Sequence, residues 1–133
     1  MVRYDEVAAG VIDHAIGVLL PQISDQGPVW PAQTSDGRSD DPAAPRMGTW
    51  FRLRADADLS GLGPQARIVA RALQVHGAVV VDTGPALYLT GEPDLRWDDP
   101  DLKTLGTLSA SDLEVVDPGP MRANPDPASL QIR

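Results

Sequence analysis

The sequence predicts a β-rich α+β fold in which an antiparallel sheet or a sandwich is covered by one amphipathic helix. Apolar residues recur at helical spacing over 64–76, Pro64 stands where a first helical turn accepts proline, and Gly77 supplies the left-handed residue that ends a helix. A β-branched run at 78–81 and an apolar stretch at 86–90 flank an Asp-Thr-Gly-Pro turn, which predicts a two-stranded hairpin. The helix is expected to face the sheet with four apolar residues, Ile68, Val69, Ala72 and Leu73.

The other elements follow from short apolar runs, caps and helix breakers. In chain order, the sequence predicts a helical turn at 5–9, strands at 14–20 and 29–33, a long polar loop at 34–48, a strand at 49–55, a short helix beginning near Pro100 and a strand at 111–116. The strand at 49–55 alternates, which places Trp50 on its solvated face and Phe51 on its buried face. Residues 1–117 are predicted to form one domain. Pro, Gly and Asn accumulate over 118–133, which predicts a flexible tail.

Composition and charge argue against several classes of function. The net charge of −8 over 133 residues disfavours binding to nucleic acid and to anionic membranes, both of which attract basic surfaces. The absence of cysteine removes disulfides, thiolate catalysis and cysteine-ligated zinc. No apolar run approaches the ~20 residues of a membrane span, so membrane insertion is not expected. The first six residues lack the apolar core of a signal peptide, and neither a cofactor nor a metal site is predicted.

Three short motifs imitate known sites, and each has a defect. Residues 61–66 fit the G-x-G-x-x-A pattern of a dinucleotide loop, but no buried strand runs directly into the first glycine. Residues 56–61 open like a calcium loop, whose twelfth position should be a glutamate and is Arg67 here. Residues 79–84 imitate the active strand of an aspartic protease, but Pro85 follows, and Asp-Thr-Gly is ordinary turn chemistry. Each motif is therefore interpreted as a turn or a helix start.

The chain offers one candidate acid–base pair. Asp13 precedes His14 at a predicted strand start, where a carboxylate could orient the imidazole. Arg52 or Asp82 could stabilise charge nearby, which would suit a hydrolase or a lyase. His76 is assigned to the helix end, where a cation suits the helix dipole. Two histidines this far apart in sequence do not define a metal site.

Aromatic residues supply a second set of candidates. Trp30, Trp50 and Trp97 stand out in a chain that has one Phe and two Tyr. Aromatic planes complement the apolar faces of sugar rings, so these tryptophans are candidate glycan-binding residues, and Arg52 is grouped with them. Packing in a core or an interface explains each tryptophan equally well when it is taken singly.

Several stretches, taken together, carry a family resemblance. Among them are 2–10 (VRYDEVAAG), 12–15 (IDHA), 29–32 (VWPA), 71–77 and 91–97. They resemble an uncharacterised group of exported bacterial proteins in which "IDHAL", "WPA" and "RALKxYG…ADNG" stretches keep this order. The resemblance implies an extracellular, β-rich domain, with a lectin-like sandwich as one option. The chain departs from the group at 82–84, where the group has Asp-Asn-Gly, and at His76, where the group favours tyrosine.

The resemblance also implies that this chain corresponds to the C-terminal part of a longer protein. The strands at 14–20 and 29–33 would then have unpaired edges, which favour self-association. Val18, Leu20 and Trp30 would be more exposed than residues of their types usually are.

The leading functional prediction is an exported domain that binds or acts on extracellular polysaccharide. One alternative is a non-catalytic structural or interaction module, which a broad apolar patch without a concave polar pocket would indicate. The other is a hydrolase or lyase that uses Asp13 and His14, which requires a cleft beside the imidazole.

Overall fold

The computed structural model of the protein describes residues 1–108, 110–117 and 131–132. The helices are α1 (Tyr4–Ala9), α2 (Pro64–Val75) and α3 (Asp99–Lys103), followed by 3₁₀ turns at Thr104–Thr107 and Ala110–Asp112. The strands are β1 (Ile16–Leu20), β2 (Trp50–Leu53), β3 (Ala78–Thr83), β4 (Tyr88–Leu89), β5 (Leu113–Asp117) and β6 (Gln131–Ile132). Within the described ranges, no helix has the length and apolar character needed to cross a membrane.

The strands of the described ranges form one mixed sheet with the order β4-β1-β3-β2-β5-β6. β1 and β3 run parallel, from Ile16 opposite Ala78 to Leu20 opposite Thr83, and the register shifts after Val18. The other pairings are antiparallel. The predicted α+β class is confirmed, but the sheet is mixed rather than antiparallel, and these strands form a single sheet rather than a sandwich. The long connection from β1 to β3, which includes α2, is what a parallel pair requires.

The predicted hairpin of 78–81 with 86–90 is wrong, because β1 lies between β3 and β4. After β3 the chain passes the end of β1, where the Gly84 N–H donates to the Leu20 carbonyl over 3.0 Å. It then returns antiparallel along the other side of β1. Both edges of β1 are therefore paired, and Val18 is buried, which corrects the expected unpaired edge at 14–20.

Residues 29–33 do not form the predicted strand. They turn around a cis Trp30–Pro31 peptide bond, and the Ala32 N–H donates to the Val29 carbonyl over 3.0 Å. The Val29 N–H donates to the Met47 carbonyl over 2.9 Å, which ties this turn to the end of the polar loop. No strand edge is therefore presented here, and Trp30 is half-buried rather than exposed.

Helix α2 agrees with the sequence prediction at both ends. Pro64 is its first residue, and Gly77 follows it with a φ of 83°. A side chain at Gly77 would collide with the Phe51 carbonyl, so the position needs glycine for both its backbone and its close approach to β2. The helix buries five residues, Ala66, Val69, Ala70, Ala72 and Leu73. Three of the four predicted inward residues are among them, and the fourth, Ile68, is half-buried.

Trp50 is buried on the sheet face opposite α2, which corrects its predicted solvated position. It is 6% exposed and packs with Val79 and Val116. Trp30 stacks on its ring with centroids 6.3 Å apart and planes inclined by 17°. The indole N–H of Trp50 donates to the His76 carbonyl over 2.9 Å. The predicted alternation of β2 holds, but the distant Trp30 covers the face that was expected to meet solvent.

The two short helices also lie where the sequence predicts them. Gly10 ends α1 with a φ of 87°, and the Asp98 side chain caps α3 by accepting from the Asp101 N–H. Near the C-terminus, Gln131–Ile132 pair with Val116 and Asp117 as β6. The remainder of the predicted flexible tail, 118–130 and 133, lies outside the described residues.

Candidate ligand-binding groove

An apolar groove of about 1110 Å³ opens on the sheet face that carries α2. This groove exceeds the ~300–1,000 Å³ of a typical small-molecule site. The sheet side is lined by Val18, Leu20, Phe51, Leu53, Ala78 and Leu89. The helical side is lined by Val69 and Leu73 of α2 and by Leu102, Leu105 and Leu108.

The groove exists because α2 covers only part of an apolar sheet face. Side chains alternate along a strand, so Val18 and Leu20 of β1 point to the same side, and Leu89 of β4 pairs beside Val18. Helix α2 packs mainly against β2, away from the β1–β4 end of the sheet. The segment 98–108 packs against α2 and provides the facing wall of the groove. Apolar side chains of both walls thus meet across open space.

The wall formed by 98–108 is fixed to the N-terminus of α2. The Asp101 carboxylate accepts from the Gln65 N–H over 2.8 Å and from the Ala66 N–H over 3.1 Å. The Thr104 hydroxyl accepts from the Gly63 N–H over 3.0 Å. A side chain at Gly63 would collide with the Asp101 carboxylate. Glycine therefore lets the Asp101 carboxylate approach this closely, and the N–H groups that a dinucleotide loop would offer to phosphate are already occupied.

Apart from Tyr88, Thr90 and Trp97, the polar or charged side chains that line the groove are those of Gln22, Glu92, Asp99 and Lys103. The Glu92 carboxylate accepts from the Tyr4 N–H over 2.8 Å, so it holds the chain terminus beside the groove. Asp99 and Lys103 are exposed at the two ends of α3. Within the described part of the chain, Lys103 makes no ion pair and is the one cation that lines the groove.

Trp97 lines the same groove and is held by two neighbours. Its indole N–H donates to the Glu92 carbonyl over 2.8 Å, and its ring packs edge-on against Tyr4 with centroids 5.3 Å apart. The Arg96 guanidinium lies 4.1 Å from the centre of the Tyr4 ring. Arg96 also binds Asp94 at 2.7 Å, and this hydrogen bonding lowers the pKa of the Asp94 carboxyl to about 2. These contacts fix the position of the Trp97 ring beside the groove.

The predicted acid–base pair is not formed. His14 contacts Glu6 rather than Asp13, with 2.8 Å between Nε2 and Oε2. Its Nδ1 lies 2.8 Å from the Ala15 carbonyl. Both ring nitrogens face acceptor oxygens, which favours the protonated imidazole, and hydrogen bonds to Ala15 and Glu6 raise the pKa of His14. The Asp13 carboxylate is 92% exposed and lies 3.6 Å from His76.

The remaining predicted site residues contact separate partners. Asp82 is exposed and accepts from its neighbour's N–H at Thr83, while Arg52 pairs with Glu114 across β2 and β5 at 3.6 Å. Trp30 and Trp50 stack on the outer face of the sheet, whereas Trp97 lines the groove on the other face. The three tryptophans therefore do not form one platform. Among the described residues, no three His, Asp or Glu side chains are grouped closely enough to hold a metal ion.

Sequence reasoning missed the groove and its only lysine. The short helix predicted near Pro100 forms part of one wall, but nothing local indicated that the described residues would leave a groove between this helix and the sheet. Comparisons with protein-family models, curated proteins and solved structures found no match. The family resemblance and the exported location therefore stay predictions, and the groove is interpreted from its chemistry alone.

Proposed function

We propose that this protein is a non-catalytic binding module for an elongated apolar molecule that lies in the groove beside α2. The single observation that carries the proposal is the concave, largely aliphatic lining of a space of about 1110 Å³. Water in contact with such a lining is unfavourable by about 25 cal/mol for each Å² of apolar surface, so an apolar occupant gains affinity by displacing it.

The polar chemistry of the groove supports binding rather than catalysis. Neither histidine nor serine occurs among its described lining residues, and its four polar or charged side chains other than Tyr88 and Thr90 are Gln22, Glu92, Asp99 and Lys103. Of the two carboxylates that line the groove, Glu92 accepts from the Tyr4 N–H and Asp99 is exposed at the start of α3, while His14 is paired with Glu6 outside this lining. Occupation without turnover is the expected outcome.

Binding is tested by titrating the protein with Nile red, an uncharged dye whose emission rises in apolar surroundings. We expect saturable binding at one site per chain. Leu105→Trp places a bulky indole ring in the groove and should abolish dye binding. Leu95→Trp changes a fully exposed position outside the lining and should leave dye binding intact. Cooperative thermal unfolding of each variant excludes dye uptake by a loosely packed state.

Two outcomes would contradict the proposal. Equal binding by the Leu105→Trp and Leu95→Trp variants would show that the dye sits elsewhere. A stable dimer by light scattering that takes up no dye would show that a second copy of the chain covers the groove.

Binding of a polysaccharide is a second candidate function, and the sheet face opposite α2 supports it. Trp30 and Trp50 are stacked there, and the Arg52–Glu114 pair lies on the same face as Trp50. An aromatic plane beside polar side chains is a suitable surface for a sugar. A glycan array read together with tryptophan fluorescence tests this candidate. Binding that survives Trp30→Ala, or no binding to any glycan at millimolar concentration, would exclude it.

A further inference from the structure

We infer that the occupant of the groove is an amphiphile whose apolar chain ends in a single carboxylate, and that the ammonium of Lys103 binds this carboxylate. The inference rests on the proposed apolar-ligand function and specifies the chemical class of that ligand.

Lys103 is placed to bind a head group. It is the last residue of α3, it lines the groove, and its side chain is exposed. A lysine can lay its aliphatic stem along an apolar surface while its ammonium stays in water, which is the arrangement needed at the mouth of such a groove. The ligand would therefore bury its chain and leave its charge at the rim.

Several other charged side chains already have partners. The Asp101 carboxylate of the same helix is directed to the N-terminus of α2, and Glu92 accepts from the Tyr4 N–H. Arg46, Arg52, Arg54 and Arg96 bind backbone carbonyls or carboxylates elsewhere. Among the described residues, Lys103 thus remains as the cation of the groove without an ion pair.

The neighbouring charges favour a monoanion. Asp99 stands one helical turn before Lys103 and also lines the groove. A phosphate carries up to about two negative charges and is matched best by several donors or an arginine fork. One lysine ammonium offers a compact single charge, and Asp99 would repel the additional charge of a dianion. A carboxylate satisfies both conditions.

The test compares decanoate, decanol and decylamine as competitors of Nile red at pH 8, below their micelle concentrations. Decanoate and decanol share one chain length, so their difference reports the head group. We expect decanoate to bind up to about fivefold more tightly than decanol, the range of an exposed ion pair. Lys103→Met keeps an unbranched apolar side chain and removes the ammonium, so it should remove that difference, whereas Asp99→Asn should preserve it. High salt should reduce it, because exposed charges are screened.

The possible results distinguish the role of Lys103 from the proposed binding of apolar molecules in the groove. Equal binding of decanoate and decanol by the unchanged protein, or a decanoate preference that survives Lys103→Met, overturns the role of Lys103 while groove binding stands. Tightest binding of decylamine overturns it as well and assigns the head group to Asp99 or Glu92. Failure of every competitor and of the dye overturns both the inference and the proposed function.

Discussion

Because the Asp101 carboxylate contacts the N-terminus of α2, we expect its removal to destabilise the fold more than the loss of a half-buried carboxylate usually does. Asp101→Ala removes two hydrogen bonds, to the N–H groups of Gln65 and Ala66, and the negative charge that favours a helix N-terminus. Loss of a capping side chain costs about 0.5–2 kcal/mol, and bonds to a charged acceptor lie at the upper end of the hydrogen-bond range. We therefore expect the free energy of unfolding to fall by about 2 kcal/mol.

The effect is measurable as a thermal shift. The unfolding entropy of a 133-residue chain means that a loss of 1 kcal/mol lowers the melting temperature by about 3.6 °C, so a loss of about 2 kcal/mol should lower it by about 7 °C. Asp99→Ala is the matched control, because Asp99 lies on the same helix and is exposed, and its removal should change stability by less than about 0.5 kcal/mol. Asp101→Asn keeps an acceptor oxygen and should fall between the two. Equal melting temperatures for the Asp101→Ala and Asp99→Ala variants would refute the cross-helix cap.

Two further predictions concern the core and the His14 pair. Leu73→Ala should lower the free energy of unfolding by about 2–5 kcal/mol in denaturant titrations, whereas the exposed Arg71→Ala should leave it unchanged, and equal losses would mean that the inward face of α2 is misassigned. Glu6→Gln should lower the pKa of His14 in an NMR titration, because it removes a partner that raises that pKa, and an unchanged value would contradict the ion pair.

The same pair sets a pH dependence with a defined sign. Hydrogen bonds to Ala15 and Glu6 raise the pKa of His14 above its ordinary 6.5, so its stabilising contribution is complete below pH 6.5 and is lost as pH rises through the raised value. Burial raises the pKa of Glu6, but hydrogen bonds with His14 and the Arg3 N–H outweigh this and lower it below 4.5. That contribution is complete above pH 4.5 and is lost on acidification. The pair should therefore stabilise the fold most between pH 4.5 and 6.5, by no more than about 1 kcal/mol because it is partly solvated. The free energy of unfolding is measured by denaturant titration across this pH range. An identical dependence on pH for the unchanged protein and for Glu6→Gln would refute the prediction.

The sequence by itself determined the local elements of this protein. Pro64 and Gly77 mark the ends of α2 because each imposes a backbone conformation on its own position. The inward face of α2 followed from 3.6-residue periodicity, and the start of α3 followed from Pro100. These features depend on neighbours within a few residues, so no knowledge of the rest of the fold was needed.

The tertiary structure alone decided which strands pair and what lies beside each side chain. β1 lies between β3 and β4 although β3 and β4 are consecutive in the chain. Strands pair with whichever strand lies beside them in space, and the local sequence does not specify that partner. Trp50 is buried because Trp30, twenty positions earlier, stacks on it. The Asp101 cap joins residues 35 and 36 positions apart, and the groove combines residues from Val2 to Leu113. Among the described residues, the groove is the part of the apolar sheet face that α2 leaves uncovered, and only the packing of α2 on the sheet determines how much is left uncovered.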